Sequence, residues 1–307
     1  MDLRSKIILI YGPTASGKSI FSVKLAKKIN GEIINADSMQ VYKDLKILSA
    51  RPFKKDYQKI KHHLYGFLSV KKNFSSGDWL KLAKIKISDI RKRKKTPILV
   101  GGTGLYFKAL TNGLVNIPNI PIKFRKDIRS LYKKLGSKKF YSKLSDIDPL
   151  VKNKINLHDT QRVLRAYEIK SYTKKSMYDW IKNTKPEYEN DDFYKIYIDF
   201  PRGRLIKRIN IRTQEMINKG AILEVKKFLK LKIQSSKTAY KAIGIKEIKQ
   251  FINKKVDISE VIEKISIKTR QFAKRQATWA RGNMLDWNRV SPDDLNKFLK
   301  KIYILSS

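Results

Sequence analysis

A chain of 307 residues has room for one large domain or two ordinary ones, each with a proper core. It carries 69 Lys and Arg against 27 Asp and Glu, a formal charge of +42, and no cysteine, which excludes disulfides and cysteine-ligated zinc. Such a field favours a polyanionic partner, nucleic acid before an anionic membrane surface. Lysine-rich compositional drift accounts for part of the charge, so the placing of the arginines is the sharper signal. No apolar run near the N-terminus is long enough for a signal peptide or a membrane span, and a soluble cytoplasmic protein is expected.

The first element, Ile7 to Tyr11, is an uninterrupted apolar run that reads as a short buried strand. It feeds Gly12-Pro13-Thr14-Ala15-Ser16-Gly17-Lys18-Ser19, which fits the phosphate-binding pattern G-x-x-x-x-G-K-[ST]. Beyond it Phe21, Leu25 and Ile29 recur at helical spacing as far as Asn30-Gly31, a helix stop signal. Strand, glycine loop and helix in that order aim successive backbone N–H groups and the positive helix end at one spot suited to a di- or triphosphate. Lys18 adds a full charge, and the Ser19 hydroxyl is the expected ligand of a Mg2+ ion bridging the phosphates. The pattern leaves the reaction open.

Glu32-Ile33-Ile34-Asn35-Ala36 reads as a second strand, ending at Asp37-Ser38-Met39-Gln40-Val41-Tyr42. Ligands of open α/β sheets sit at the carboxyl ends of strands, which puts Asp37 beside the phosphate site. His62-His63 follows; adjacent side chains diverge on helix and strand alike, so a two-histidine metal site is not expected. Residues 77–93 are patterned as a helix, with Trp79, Leu82, Ala83 and Ile87 on one side. Pro97-Ile98-Leu99-Val100 is a third apolar strand of the parallel-sheet kind, opening into a second glycine-rich turn, Gly101-Gly102-Thr103-Gly104-Leu105-Tyr106. Two such turns at strand ends let two backbone segments approach one ligand closely.

From about Gly113 the texture changes. Residues 116–121 are linker-like, and the pattern is then helical and highly charged to about Asn190. Within it Asp159-Thr160-Gln161-Arg162-Val163-Leu164-Arg165-Ala166 opens a helix, with Asp159 or Thr160 as N-cap. Strand character returns from Tyr194 to Phe200, and Pro201 stops it. The expected fold class is α/β: a parallel-sheet core over residues 1–112, a helical insertion domain over 113–192, and the core resumed with a basic helical C-terminal region over 193–307. In that last part Arg204, Arg208 and Arg212 fall at i, i+4 and i+8. Like charges so spaced destabilise a helix by roughly 0.2–0.5 kcal/mol per pair, so the stripe suggests an anionic ligand, the alternative being a solvated face. Arg270, Lys274 and Arg281 on one face of residues 269–281, with Phe272, Gln276 and Trp279 on another, carry the same two readings.

The segments 12–19, 36–42, 100–106, 159–166 and Thr269-Arg270-Gln271-Phe272-Ala273-Lys274-Arg275-Gln276, in that order, together resemble the tRNA dimethylallyltransferases (tRNA isopentenyltransferases) over nearly the whole chain. The resemblance implies a P-loop NTPase-like core with a helical, tRNA-binding insertion domain. It also implies transfer of a dimethylallyl group from dimethylallyl diphosphate to N6 of the adenine 3′-adjacent to certain anticodons, the partner being the tRNA anticodon stem-loop. Asp37 matches the general base, and Lys18 and Thr103 join it in the catalytic set. Asp37, Ser38, Met39 and Gln40 match a first tRNA-contacting segment and Gln161, Arg162, Val163, Leu164 and Arg165 a second. Thr103 and Arg125 match further contacts, and Lys241-Ala242-Ile243-Gly244-Ile245-Lys246 resembles a third segment. Arg208 and Arg212 are read as gripping phosphates of the stem. A monomer is expected, with no membrane partner. The chain departs from the family where Leu48-Ser49-Ala50-Arg51-Pro52 replaces the usual Gly-Thr-Ala-Lys-Pro, and where Thr173-Lys174 replaces Thr-Gly.

Such chemistry suits these residue types. The adenine N6 lone pair is delocalised into its ring, so the site has to stabilise departing pyrophosphate and take a proton from N6 as it attacks. The P-loop, Lys18 and Mg2+ at Ser19 serve the first need, and Asp37 the second. Two other readings stay open on the residues alone: an RNA-binding P-loop NTPase whose Asp37 strand binds magnesium, and a P-loop kinase or transferase acting on a free nucleotide.

Overall fold

The computed structural model describes residues 3–306. Strand β1, Ile7–Tyr11, is buried throughout, because successive side chains of a strand face opposite ways and both faces here are covered. Ile7, Leu9 and Tyr11 enter one hydrophobic cluster; Ile8 and Ile10 enter another. The P-loop and helix α1, Lys18–Lys28, follow, then β2, Gly31–Asn35. A two-residue strand β3, His62–His63, precedes α2, Ser76–Lys92; then come β4, Thr96–Gly101, and α3, Gly104–Thr111.

Residues Asn112–Glu187 form a compact unit of their own. It comprises α4, Ile122–Ile147, interrupted at Gly136 (φ 72°), then α5, Thr160–Thr173, and α6, Met177–Lys182. Its core gathers Ile128, Phe140, Leu144, Val163, Ala166 and Tyr167. Asp159 is the N-cap of α5, its carboxylate accepting from Arg162 N–H.

The first unit resumes with β5, Phe193–Ile198, and α7, Arg202–Asn218. Helices α8, Ala221–Lys230, α9, Ile245–Ile252, and α10, Ile258–Asn283, precede β6, Asn288–Val290, and α11, Leu295–Ser306. The strands make one six-stranded sheet in the order β3-β2-β4-β1-β5-β6, with every pairing parallel. Helices α2 and α3 cover one face, where Trp79 stacks on Tyr106 at 4.4 Å and donates its Nε1–H to Asn35 O at 2.7 Å. Phe21, Leu25 and Ala26 of α1 and Leu299 of α11 cover the other. Parallel pairing brings the carboxyl ends of β2, β4 and β1 to the same edge, so the turns after them are neighbours.

The sequence pattern does not announce β3 and β6, which are too short to show a period. His62 and His63 diverge as adjacent strand residues must. His62 stacks on Tyr57 at 3.8 Å, and His63 Nε2 lies 2.7 Å from a Glu32 carboxylate oxygen. Burial pushes Glu32 up, but hydrogen bonds from Arg93 and His63 and their charges outweigh it and hold the carboxyl at about 2. No helix among the described residues is long and apolar enough to cross a membrane.

Two glycines give a paired test of the packing. A Cβ at Gly101 would stand 2.0 Å from Ala36 O, a backbone atom of the neighbouring strand end that cannot step aside. Gly101→Ala should destabilise the protein by at least about 1–3 kcal/mol. Gly282, on α10 with open space around it, should instead stabilise by roughly 0.4–1 kcal/mol when changed to Ala. Urea unfolding of both variants measures the difference in sign.

Candidate active site

The loop after β1 is built for an anion. Ala15 (φ 64°) and Gly17 (φ 87°) both lie in the left-handed region, and alternation of that kind turns successive N–H groups into one concavity. Ser16 N–H donates to Pro13 O, and Gly17 starts α1 without a side-chain cap, so the first amides of the helix keep no partner within it. The Ser16 hydroxyl is 1% exposed and has no hydrogen-bond partner among the described residues. Lys18 Nζ donates to Pro13 O at 3.2 Å, curling over the loop.

Asp37 stands just beyond β2 in a turn fastened from several sides. Its N–H donates to Asn35 Oδ1 at 3.0 Å, while Asn35 Nδ2 donates to Asp37 O and Leu64 O, each at 3.0 Å. The Asp37 carboxylate accepts from Met39 N–H at 2.9 Å, an Asx turn that orients it. Ser38 N–H donates to Thr103 Oγ1 at 2.9 Å, and Thr103 N–H to Ala36 O at 3.2 Å. The two turns after β2 and β4 are thus one structure, held through the Thr103 hydroxyl.

The arginine stripe of α7 is aimed at the P-loop. Arg212 Nη1 donates to Thr14 Oγ1 at 2.9 Å. Arg208 lies over the Phe200 ring at 5.1 Å, and its guanidinium would be 3.8 Å from a Cβ placed at Gly17. Arg204, at the outer end, forks onto both Asp293 oxygens. Burial lowers Lys18 to about 8, with Asp37 opposing the shift and Arg212 adding to it. Burial likewise lowers Arg212, Asp37 again opposing. Burial, with the Asp37 charge adding to it, pushes up the half-buried Tyr65 and the buried Tyr106, and both stay protonated at neutral pH.

The remaining predicted residues divide by exposure. In the inserted unit Gln161, Arg162 and Arg165 reach solvent, whereas Val163 and Leu164 are core residues and present no side chain to a partner. Arg165 and Arg125 both approach the buried Glu168, at 3.4 and 4.0 Å. In residues 241–246 Lys241 and Lys246 are exposed, while Ala242 and Ile245 are buried in a cluster with Val41 and Tyr42. Gly244, at φ 107°, caps α9. Gln40, with its Met39 and Ser38 neighbours half-buried beside Asp37, donates through Nε2 to Ser49 O and Ala50 O. The divergent loop that it holds is anchored elsewhere by Glu224, whose carboxylate accepts the N–H groups of Lys46, Ile47 and Leu48 at 2.7, 2.8 and 2.9 Å. The sequence gives no sign of this anchor, because 176 to 178 residues separate its two sides.

A parallel sheet with a left-handed phosphate loop at one strand end and a carboxylate at the next defines a P-loop α/β protein acting on a phosphorylated ligand. Its relatives narrow that class. The family model described as IPP transferase matches residues 40–283. The chain is 60% identical to the tRNA dimethylallyltransferase of Pelagibacter ubique, over 98% of this chain and 96% of that one. It is 43% identical to that of Rickettsia massiliae, over 92% of this chain and 78% of the relative. Among solved structures, the tRNA isopentenylpyrophosphate transferase of Bacillus halodurans aligns with a TM-score of 0.71 at 33% identity, covering 98% and 95% of the two chains. A eukaryotic dimethylallyltransferase acting on tRNA aligns at 0.83 and 29% identity, covering 95% of this chain and 75% of that one. The chain belongs to the IPP transferase family.

With Lys18 at about 8, anion binding should carry a titration of its own. The ammonium is present below that pH and lost above it, whereas an arginine there stays charged. The Kd of wild type for inorganic pyrophosphate, divided by that of Lys18→Arg at the same pH, should be flat below about pH 7. Above about pH 8 it should rise toward about tenfold per pH unit. Calorimetric titration of both proteins across that range is the measurement.

Proposed function

We infer that this protein transfers a dimethylallyl group from dimethylallyl diphosphate to N6 of the adenine 3′-adjacent to the anticodon in certain tRNAs, releasing diphosphate. The observation that carries the reading is the joining of two needs in one place. A nest of amides with Lys18 and Arg212 suits a leaving diphosphate, and Asp37 stands within charge reach of both cations.

In this reading the allylic C–O bond breaks as N6 attacks the carbon. The diphosphate departs with the bonding electron pair onto its oxygen, where Lys18, Arg212 and the loop amides stabilise it. The N6 proton passes to the Asp37 carboxylate, which the Met39 N–H and the Thr103-held turn keep aimed. Because a base inside its stack cannot reach the pocket, the adenine is flipped out, at a cost of about a few kcal/mol. Gln161 and Arg162 of the inserted unit, and Lys241 and Lys246, are the exposed candidates for holding the tRNA; the half-buried Arg165, Arg125, Ser38, Met39 and Gln40 complete that set. The loop suits a Mg2+ ion. That ion usually keeps waters and takes few protein ligands beside substrate phosphates, and the buried Ser16 hydroxyl, without a hydrogen-bond partner among the described residues, is polar capacity that the loop itself leaves unused. Ser19, at the start of α1, would hold it, and when bound it neutralises charge on the diphosphate. We read the enzyme as a monomer, and as cytoplasmic in keeping with a chain without cysteine.

Transfer of labelled dimethylallyl into bulk tRNA, run beside ATP hydrolysis with RNA, tests the reaction against the P-loop NTPase and free-nucleotide readings. Asp37→Asn should lower kcat by roughly 10²–10⁴ while tRNA Kd stays within a few fold. Magnesium-dependent loss of binding with intact turnover would instead mark Asp37 as a metal ligand.

The turn of the α7 stripe toward the loop separates two kinds of arginine. Arg212→Ala should raise KM for dimethylallyl diphosphate and lower kcat, leaving the salt dependence of tRNA binding unchanged. Arg162→Ala should leave the diphosphate KM alone and reduce the slope of log K against log salt by roughly 0.7–0.9, one phosphate contact. Salt titrations with single-turnover assays on both variants decide it.

A further inference from the structure

Gln276 of α10 is buried, and its carboxamide touches both glycine turns. Oε1 accepts from Thr14 N–H at 2.8 Å, and Nε2 donates to Gly102 O at 2.8 Å. Its backbone carbonyl receives the Tyr11 hydroxyl at 3.0 Å. The partners fix the amide's orientation, since an N–H requires an acceptor and a carbonyl a donor. A side chain of that length offering one of each without a charge is a glutamine; an ionised glutamate offers only acceptors. The fit leaves no slack. A Cβ at Gly102 would stand 2.2 Å from Gln276 Nε2, and one at Gly104 2.4 Å from the Trp279 ring. Those glycines are small because α10 occupies the space.

Gly102 leads directly into Thr103, whose hydroxyl accepts Ser38 N–H, and Ser38 follows Asp37. Thr14 opens the loop that holds the diphosphate and accepts Arg212 through its own hydroxyl. A run of short hydrogen bonds therefore links the leaving-group site to the turn carrying the base, and Gln276 is its middle member.

We propose that Gln276 is a positioning residue that sets the spacing between the diphosphate in the P-loop and the carboxylate of Asp37; this rests on the transfer reaction inferred above. It acts through the two turns, not on the substrate. The allylic carbon must lie between the departing oxygen and an N6 whose proton is on its way to Asp37, and a misplacement of about 1 Å in such an arrangement costs about 10²-fold.

The test compares wild type with Gln276→Met, which keeps length and burial but has no hydrogen-bonding partner to offer, and Gln276→Glu. Both should lower kcat by about 10²-fold, with KM for dimethylallyl diphosphate changing only a few fold and tRNA Kd unaltered. The pH profile separates positioning from packing. In Gln276→Glu the ionised carboxylate opposes the Gly102 carbonyl, but once protonated it again provides one donor and one acceptor. Burial and the bound diphosphate raise a carboxyl pKa there, with Lys18 and Arg212 opposing, so that protonation falls within the assay range. The kcat of this variant divided by that of wild type at the same pH should climb as pH falls from about 8.5 to about 5.5, while the same ratio for Gln276→Met stays flat. Wild-type kcat in the Met variant, even with a lowered Tm, would make Gln276 a packing residue and overturn the proposal. So would a Glu ratio that does not move with pH. Absence of transfer by wild type overturns the reaction and this role with it; wild-type transfer with unaffected variants overturns the role alone.

Discussion

Crowding of positive charge round one backbone loop is the constraint to which the rest of the first unit answers. Lys18, Arg208 and Arg212 approach the same few amides, whose own dipoles point inward, and burial already depresses Lys18 and Arg212. Nothing in the loop itself offsets this. Asp37 is the carboxylate whose field reaches both cations, and it is held by its turn, not paired to either. An arrangement so unbalanced is stable only because the sheet, α7 and α10 fix the parts from outside. A diphosphate bound there, as proposed, would meet groups fixed in advance.

The same constraint changes what the +42 charge means. The arginine stripe of α7, read from spacing, looks like a grip on an RNA backbone. In the fold Arg212 at its inner end bonds Thr14 of the P-loop, Arg208 stays exposed, and Arg204 at its outer end forks onto Asp293. Side chains that remain in solvent, among them Arg162, Lys241, Lys246 and Arg208 of the stripe itself, are the proposed holders of the polyanion. Charge composition identified the kind of partner correctly, yet the periodicity of charge on a helix cannot say which way that helix faces.

Local features were readable. The strand, loop and helix of the P-loop and the strands leading to Asp37 and Thr103 each declare themselves within a few residues, so the α/β class and the approach of Asp37 to the loop followed from parallel-sheet topology. Order of motifs added the family. The unread features depend on side chains far apart in the chain. Glu224 seats three amides of a loop near residue 47, and Gln276 reaches Thr14 and Gly102; each looks like an ordinary polar residue on a helix. Residues carried over as contiguous segments met a second limit. A helical run such as 161–165 must put some members inward, and Val163 and Leu164 went to the core.

The sheet order has a consequence for how the chain is made. β1 lies between β4 and β5, but β5 follows only after the whole of Asn112–Glu187. During synthesis at about 5–20 residues per second, one edge of the central strand stays open for roughly 4–15 s while that stretch emerges. An apolar strand with an unpaired edge is a template for pairing with another chain. A dense like charge on every nascent copy slows such encounters.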